Sequence, residues 1–160
     1  MPLSKIHRRT RETEVNLELE LDGCGRAAID TGIPFFDHML HLFTAHGYFD
    51  LTVKARGDLE VDQHHTVEDI GICLGQAFRE ALAQRPGVRR FGSARVPMDE
   101  ALAQVTVDLS NRPFLHLEVD LPPGGAGLDP QLLKEFWRAV SIHGGMTLHI
   151  CVPYGENTHH

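Results

Sequence analysis

The feature that most constrains the fold of this chain is an internal repeat. Residues 38–53, HMLHLFTAHGYFDLTV, align with residues 135–150, EFWRAVSIHGGMTLHI, when shifted by 97 positions. The alignment superimposes His46-Gly47 on His143-Gly144, Leu51 on Leu148 and, after a two-residue deletion, His64-His65 on His159-His160. A repeat of this kind predicts two copies of one supersecondary unit.

Hydrophobic periodicity predicts the strands and helices of each copy. Apolar and polar residues alternate over 13–21 and over 101–109, as in half-buried strands. In the first half we predict a turn at 22–25, a hairpin return strand at 26–30, a helix at 35–47, a strand at 48–55 and a helix at 64–84. In the second half we predict a return strand at 114–119, a linker at 121–130, a helix at 131–145 and a strand at 146–152.

These elements predict an α+β fold made of two fused β-β-α-β-α half-domains, with the sheets packed on a helical layer. We predict one domain, residues 1–160, divided into pseudo-repeats of about 1–90 and 91–160. The second repeat is incomplete, because the helix after its His pair is missing. His159-His160 could be the stub of a purification tag. The repeat favours instead a native protein that continues with a further Glu and a second amphipathic helix, so we expect this chain to be truncated.

Composition and charge restrict the class of protein. The formal charge of −7 argues against general binding to a nucleic-acid backbone. The three cysteines, at 24, 73 and 151, form no CxxC pair, which argues against a disulfide framework or a thiolate zinc site. No apolar run is long enough to span a bilayer, and the N-terminus lacks a signal-peptide core. We therefore expect a cytoplasmic protein.

The helix at 64–84 carries the strongest chemical signal. Its predicted buried face consists of Val67, Ile70, Leu74, Phe78, Ala81 and Leu82. His64 and His65 open the helix about 100° apart, and both lie within one turn of Glu68. This divergence predicts that the imidazoles serve two different metal ions, with His65 and Glu68 on one and His64 on the other. Taken alone, the pair could equally be surface or capping residues.

Several segments resemble a known family. They are DTGIPFFDHML (30–40), HHTVEDIGICLGQAF (64–78), PMDEALAQVTVDLSNRP (97–113), GGMTLHI (144–150) and GENTHH (155–160). These motifs are similar to those of imidazoleglycerol-phosphate dehydratase. The resemblance covers nearly the whole chain. It implies a ribosomal-S5-domain-2-like fold and removal of water from imidazole glycerol phosphate, giving imidazole acetol phosphate, in histidine biosynthesis. It also implies a homo-oligomeric shell of 24 subunits built from trimers, with two Mn²⁺ ions per active site shared between subunits.

The resemblance also implies roles for individual residues. Glu12 matches a catalytic carboxylate that also contacts substrate, and Arg90 and Arg112 match phosphate-binding arginines. The implied metal ligands are His38, His64, His65, Glu68, Glu135, His159 and His160. Of these, His38, His64, His65, Glu68 and His159 are also expected to contact the substrate.

The chain departs from the family pattern at two places. Many members have His where this chain has Glu135, although Glu is also a competent manganese ligand. The family motif HHxxExxxK stops here after its two histidines, so the Glu that binds metal and the active-site Lys are not in this sequence. Activity of a chain that ended at His160 would be in doubt.

Alternative functions remain compatible with the residues. Two ions held by His and carboxylates also occur in binuclear metallohydrolases, which activate water. A third interpretation is an assembly module without activity, in which metal ions join subunits. Glu12, within RRTRETE, could on its own be a solvated strand end.

Overall fold

The computed structural model describes residues 3–121 and 127–160 as three helices and two four-stranded sheets. The strands are β1 Leu3–Arg9, β2 Thr13–Glu20, β3 Ala27–Asp30, β4 Asp50–Gly57, β5 Phe91–Met98, β6 Ala101–Asp108, β7 Phe114–Glu118 and β8 Thr147–Tyr154. The helices are α1 Pro34–Gly47, α2 His64–Ala83 and α3 Pro130–Gly144.

The two sheets have the same topology. The strand order is β1-β2-β4-β3 in the first sheet and β5-β6-β8-β7 in the second. In each sheet the first two strand pairs of this order are antiparallel and the last pair is parallel. The predicted α+β class with two duplicated halves is therefore confirmed.

The return strands at 26–30 and 114–119 exist, but their predicted hairpin pairing is wrong. Strand β3 lies parallel to β4, with Ala27 opposite Leu51, and β7 lies parallel to β8, with Phe114 opposite Thr147. In each half a helix separates the two strands, as a parallel connection requires. Alternation predicts that a strand is present, whereas the choice of neighbour depends on where the crossover helix packs.

Each half also contains an edge strand that periodicity left unassigned. Strand β1 is rich in basic residues, and only Ser4 in it is buried. Strand β5 is exposed along its whole length and contains Pro97, which is tolerated at a sheet edge. The inward residues of β1 are Ser4, Ile6 and Arg8, which are not consistently apolar, and β5 has no buried residue. Hydrophobic periodicity therefore cannot detect either strand.

Helix α2 lies at the centre of the core. One side packs on the first sheet, where Val15, Leu17, Leu19, Leu51 and Val53 are almost fully buried. The other side packs on α3. Because α2 is covered on both sides, its buried face also includes Ile72, Cys73 and Ala77, beyond the predicted stripe. Its N-terminus, and with it the His pair, is thereby held in place.

Local sequence explains the ends of the helices. Asp129 caps α3 by accepting a hydrogen bond from the backbone N–H of Gln131, and Pro130 follows it. Gly145 ends α3 at a φ of 65°, a left-handed conformation that glycine adopts without strain. The predicted linker at 121–130 lies partly outside the described residues. None of the described helices is long and apolar enough to cross a membrane.

Candidate active site

His64 and Glu68 form a pair at the first turn of α2. Asp62 accepts a hydrogen bond from the backbone N–H of His64, which starts the helix at that residue. His64 Nε2 then lies 3.0 Å from Glu68 Oε2, across one helical turn. The prediction grouped Glu68 with His65. In the structure the Glu68 carboxylate contacts His64, its i,i+4 neighbour. The assignment of His65 and Glu68 to one ion and His64 to the other stays a prediction.

His65 points away from His64 and contacts a different carboxylate. The two rings are perpendicular, with centroids 5.9 Å apart, which agrees with the expected divergence. His65 Nδ1 lies 2.7 Å from Asp58 Oδ2, at the end of β4. This hydrogen bond raises the pKa of His65 above its usual value, and the charge of Glu12 adds a smaller effect in the same direction.

His38 and His159 come together from distant parts of the sequence. His38 lies on α1 and His159 near the end of the chain, yet their ring centroids are 5.3 Å apart. The edge of Phe35 also contacts the His159 ring, with centroids 5.6 Å apart. Imidazole nitrogens bind metal at about 2.1 Å, so rings at this separation can both reach one ion.

His160 contacts Glu100 in the turn between β5 and β6. Its Nδ1 hydrogen-bonds Glu100 Oε1. Glu100 Oε2 accepts hydrogen bonds from the backbone N–H groups of Glu156, at 2.8 Å, and Asn157, at 3.1 Å. The bonds from Glu156, His160 and Asn157 together lower the pKa of Glu100 to about 2. The Glu100 carboxylate thus binds both the backbone just before the second His pair and the ring of His160.

The two predicted phosphate-binding arginines meet at one acidic residue. Arg90 Nε lies 2.7 Å from Asp108 Oδ1, and Arg112 Nη2 lies 3.5 Å from Asp108 Oδ2. The pKa of Asp108 is lowered, chiefly by its hydrogen bond with Arg90. Both guanidinium groups remain more than half exposed, so their free N–H groups can still bind an anion.

Glu12 and Glu135 complete the predicted set. Glu12 is exposed in the β1–β2 turn, where its carboxylate accepts a hydrogen bond from Thr10 Oγ1 at 3.2 Å. Glu135 is partly buried on α3. Among the described residues it forms no ion pair with another predicted ligand. Sequence reasoning missed Asp58, Glu100 and Asp108, because their contacts with His65, His160 and the two arginines follow no helix or strand periodicity.

The donor set suits a divalent metal, but it is divided. Imidazole nitrogens and carboxylate oxygens are suitable ligands for Mn²⁺, Fe²⁺ or Zn²⁺. Within residues 3–121 and 127–160, however, no three His, Cys, Asp or Glu side chains converge on one point. In this part of the chain the candidate ligands therefore lie in pairs rather than in groups of three or more.

An apolar groove of about 370 Å³ lies beside the second His pair. Its lining includes Phe35, Met39, Leu133 and Trp137, with His159 and His160 at one side. None of its described lining residues is an arginine, so the groove is a poor site for a phosphate. The exposed arginines at Asp108 are the better candidate for that group.

Comparisons with known proteins identify the family of this chain. The family model for imidazoleglycerol-phosphate dehydratase matches residues 31–160. A relative of that name from Desulfosudis oleivorans is 57% identical over 98% of this chain and 81% of its own length. The chain belongs to the imidazoleglycerol-phosphate dehydratase family. Members of this family are hydro-lyases of histidine biosynthesis.

Further similarities cover both sequence and fold. The dehydratase of Trichlorobacter lovleyi is 56% identical over 98% of this chain and 81% of its own length. The crystal structure of imidazoleglycerol-phosphate dehydratase from Staphylococcus aureus superimposes with a TM-score of 0.87. It is 37% identical in sequence, and the match covers 98% of this chain and 87% of that one. The family's fold is thus present with both of its sheets.

Proposed function

We propose that this chain catalyses the metal-dependent dehydration of imidazole glycerol phosphate to imidazole acetol phosphate. The observation that carries the proposal is the 57% identity to a dehydratase over 98% of the chain. The site geometry supports it, because separate groups are present for a phosphate, a metal and a proton. Two exposed arginines share Asp108, His and Glu pairs offer metal ligands, and Glu12 is an exposed carboxylate near His65.

Mn²⁺ is the metal that we propose, with two ions per active site. The chain's ligands would be His38, His64, His65, Glu68, Glu135, His159 and His160. When bound, the metal supplies Lewis acidity and a template that orients the imidazole ring of the substrate. Because the described ligands occur in pairs, we propose that each site is completed by substrate, water and residues of other subunits in a homo-oligomer.

The chain's own residues supply the remaining steps. Arg90 and Arg112 bind the phosphate through charge-assisted hydrogen bonds and so position the carbon chain. Glu12 moves the proton between the substrate carbons and the departing hydroxyl, a contribution typically of 10²–10⁴-fold. Loss of the C–H proton and of hydroxide gives an enol and one water, and the enol becomes the ketone by proton transfer to carbon.

Incubation with imidazole glycerol phosphate tests the proposal. Purified full-length protein is stripped with a chelator, reloaded with Mn²⁺ and assayed by mass spectrometry for a product lighter by one water. Turnover that requires Mn²⁺ and is lost in Glu12→Gln is the expected result, and Glu14→Gln, two residues along the chain, is the matched control. A product that has gained water would indicate the metallohydrolase. Assembly without any turnover would indicate the non-catalytic module.

A further inference from the structure

His65 and His160 are the second histidines of the two His pairs. Each of them contacts a carboxylate through the same ring nitrogen. In both cases the contact is made by Nδ1, with Asp58 for His65 and Glu100 for His160. A carboxylate accepts only, so the proton of each neutral ring lies on Nδ1. Nε2 is then left with a lone pair, which is the form that binds a metal.

The two carboxylates come from different places in the repeat. The β1–β2 and β5–β6 hairpins correspond at a shift of 88 residues, since Leu3 pairs with Glu20 and Phe91 pairs with Asp108. This shift places Glu12 on Glu100. The second half therefore uses the turn carboxylate to hold its histidine, whereas the first half uses Asp58, from the end of β4, and leaves Glu12 exposed.

Each contact is built into the fold. Asp58 is only 15% exposed, and its second oxygen, Oδ1, is buried without a hydrogen-bond partner among the described residues. A buried carboxylate with one unused oxygen is costly unless its single contact has a function or a further partner. Glu100 is anchored by two backbone N–H groups, which fix the carboxylate against His160.

We propose that Asp58 and Glu100 are positioning residues that hold His65 and His160 in the Nδ1–H tautomer and orient Nε2 toward metal. This inference rests on the proposed metal-dependent function. It adds that the repeat is chemically asymmetric, because only the first half keeps its turn carboxylate free for proton transfer. Carboxylates behind metal-binding histidines typically affect metal affinity by 10- to 100-fold.

Metal binding by carboxamide variants is the first test. Asp58→Asn and Glu100→Gln each remove one charge, and Glu60→Gln and Glu156→Gln are matched controls at exposed glutamates nearby. Titration calorimetry with Mn²⁺ should show affinity reduced about 10- to 100-fold in the first two variants only. Asp58→Glu, which restores a carboxylate, should recover part of the loss. Affinity equal to that of the controls in both variants would overturn the inference.

The tautomer is the second test and needs no metal. Protein labelled with ¹⁵N at histidine is studied by NMR at alkaline pH, where the rings are neutral, and signals are assigned with His65→Gln and His160→Gln. Both rings should be Nδ1–H in the native chain and should shift toward Nε2–H in the carboxamide variants. Unchanged tautomers would refute the positioning role. A native chain that shows these tautomers but binds no Mn²⁺ would refute the metal proposal while leaving the orientation of the rings established.

Discussion

Individual side chains show how few contacts organise the site. Asp108 holds two arginines that are 22 positions apart in sequence, and neither can be linked to the other from the sequence alone. Arg90 also lies over the ring of Phe91, with its guanidinium carbon 4.8 Å from the centroid. These contacts restrict the arginines before substrate arrives, which lowers the entropy lost on binding.

Removing either arginine should weaken phosphate binding. Each charge-assisted hydrogen bond contributes roughly 1.5–3 kcal/mol, so Arg90→Ala and Arg112→Ala should each raise the Michaelis constant about 10- to 150-fold. Metal content should stay unchanged, because neither residue is among the proposed ligands. Arg89→Ala and Arg138→Ala, at exposed sites, are the controls. Normal Michaelis constants in Arg90→Ala and Arg112→Ala would show that the phosphate binds elsewhere.

A buried hydrogen bond under the first sheet should matter for stability. Thr13 Oγ1 donates to Asp69 Oδ2, and both residues are more than 90% buried. Thr13→Val keeps the shape but leaves the carboxylate without this donor, which should lower the free energy of unfolding by about 1–3 kcal/mol. The same change at exposed Thr52 should have little effect. Urea denaturation of both variants measures the difference, and equal losses would contradict the assignment.

Cys24 and Cys73 should differ in reactivity. Burial raises the pKa of Cys73 to about 12, so its thiol stays protonated at neutral pH. The thiolate is the reactive form, and Cys73 is also inaccessible on α2. Iodoacetamide followed by peptide mass spectrometry should label exposed Cys24 and leave Cys73 unmodified until the protein is denatured. Rapid labelling of Cys73 in the native protein would mean that α2 opens readily.

At the scale of elements, helices α2 and α3 cross at close range in the core. Two glycines on α2 allow it. A Cβ at Gly71 would lie 2.8 Å from the carbonyl oxygen of Phe136, and one at Gly75 would lie 2.8 Å from that of Val140. These obstructing atoms are backbone atoms, so they cannot move without separating the helices.

Gly75→Ala should therefore destabilise the protein despite the better helix propensity of alanine. Propensity alone would favour the change by about 1 kcal/mol, whereas forcing the helices apart costs about 1–3 kcal/mol. Gly92→Ala in β5 is the control, since its Cβ would meet Val107 at an ordinary 3.5 Å. Thermal melting should show a lower midpoint for Gly75→Ala than for Gly92→Ala. The reverse order would show that the crossing is not tight.

Prediction of the elements succeeded where one face of a helix or strand is buried. Helices α1, α2 and α3 begin and end within one residue of the predicted limits. Strands β1 and β5 were missed because the inward residues of β1 are not consistently apolar and β5 has none that are buried, which leaves no hydrophobic alternation to detect. The wrong pairing of β3 and β7 has a different cause. Strand order depends on the crossover helix, and that information is not in the strand itself.

At the scale of the whole molecule, incomplete metal sites predict a dependence of assembly on metal. No described group of three ligands converges within the chain, so we propose that ions join subunits. Removing metal with a chelator should dissociate the homo-oligomer to smaller species, expected to be trimers. Native mass spectrometry with metal analysis measures this, and adding Mn²⁺ back should restore the larger particle. An unchanged particle after verified metal removal would exclude metal as the link between subunits.

The sequence by itself determined the duplication, the α+β class, the three helices and the family, because these depend on periodicity and on motifs that are local in the chain. It also identified His64, His65, Glu68 and the two arginines as candidates. Only the tertiary structure brought His38 beside His159, joined the arginines at Asp108 and placed Asp58 and Glu100 behind their histidines. Those contacts link residues that are up to 121 positions apart, and their formation depends on how the sheets and helices pack, which no local pattern records.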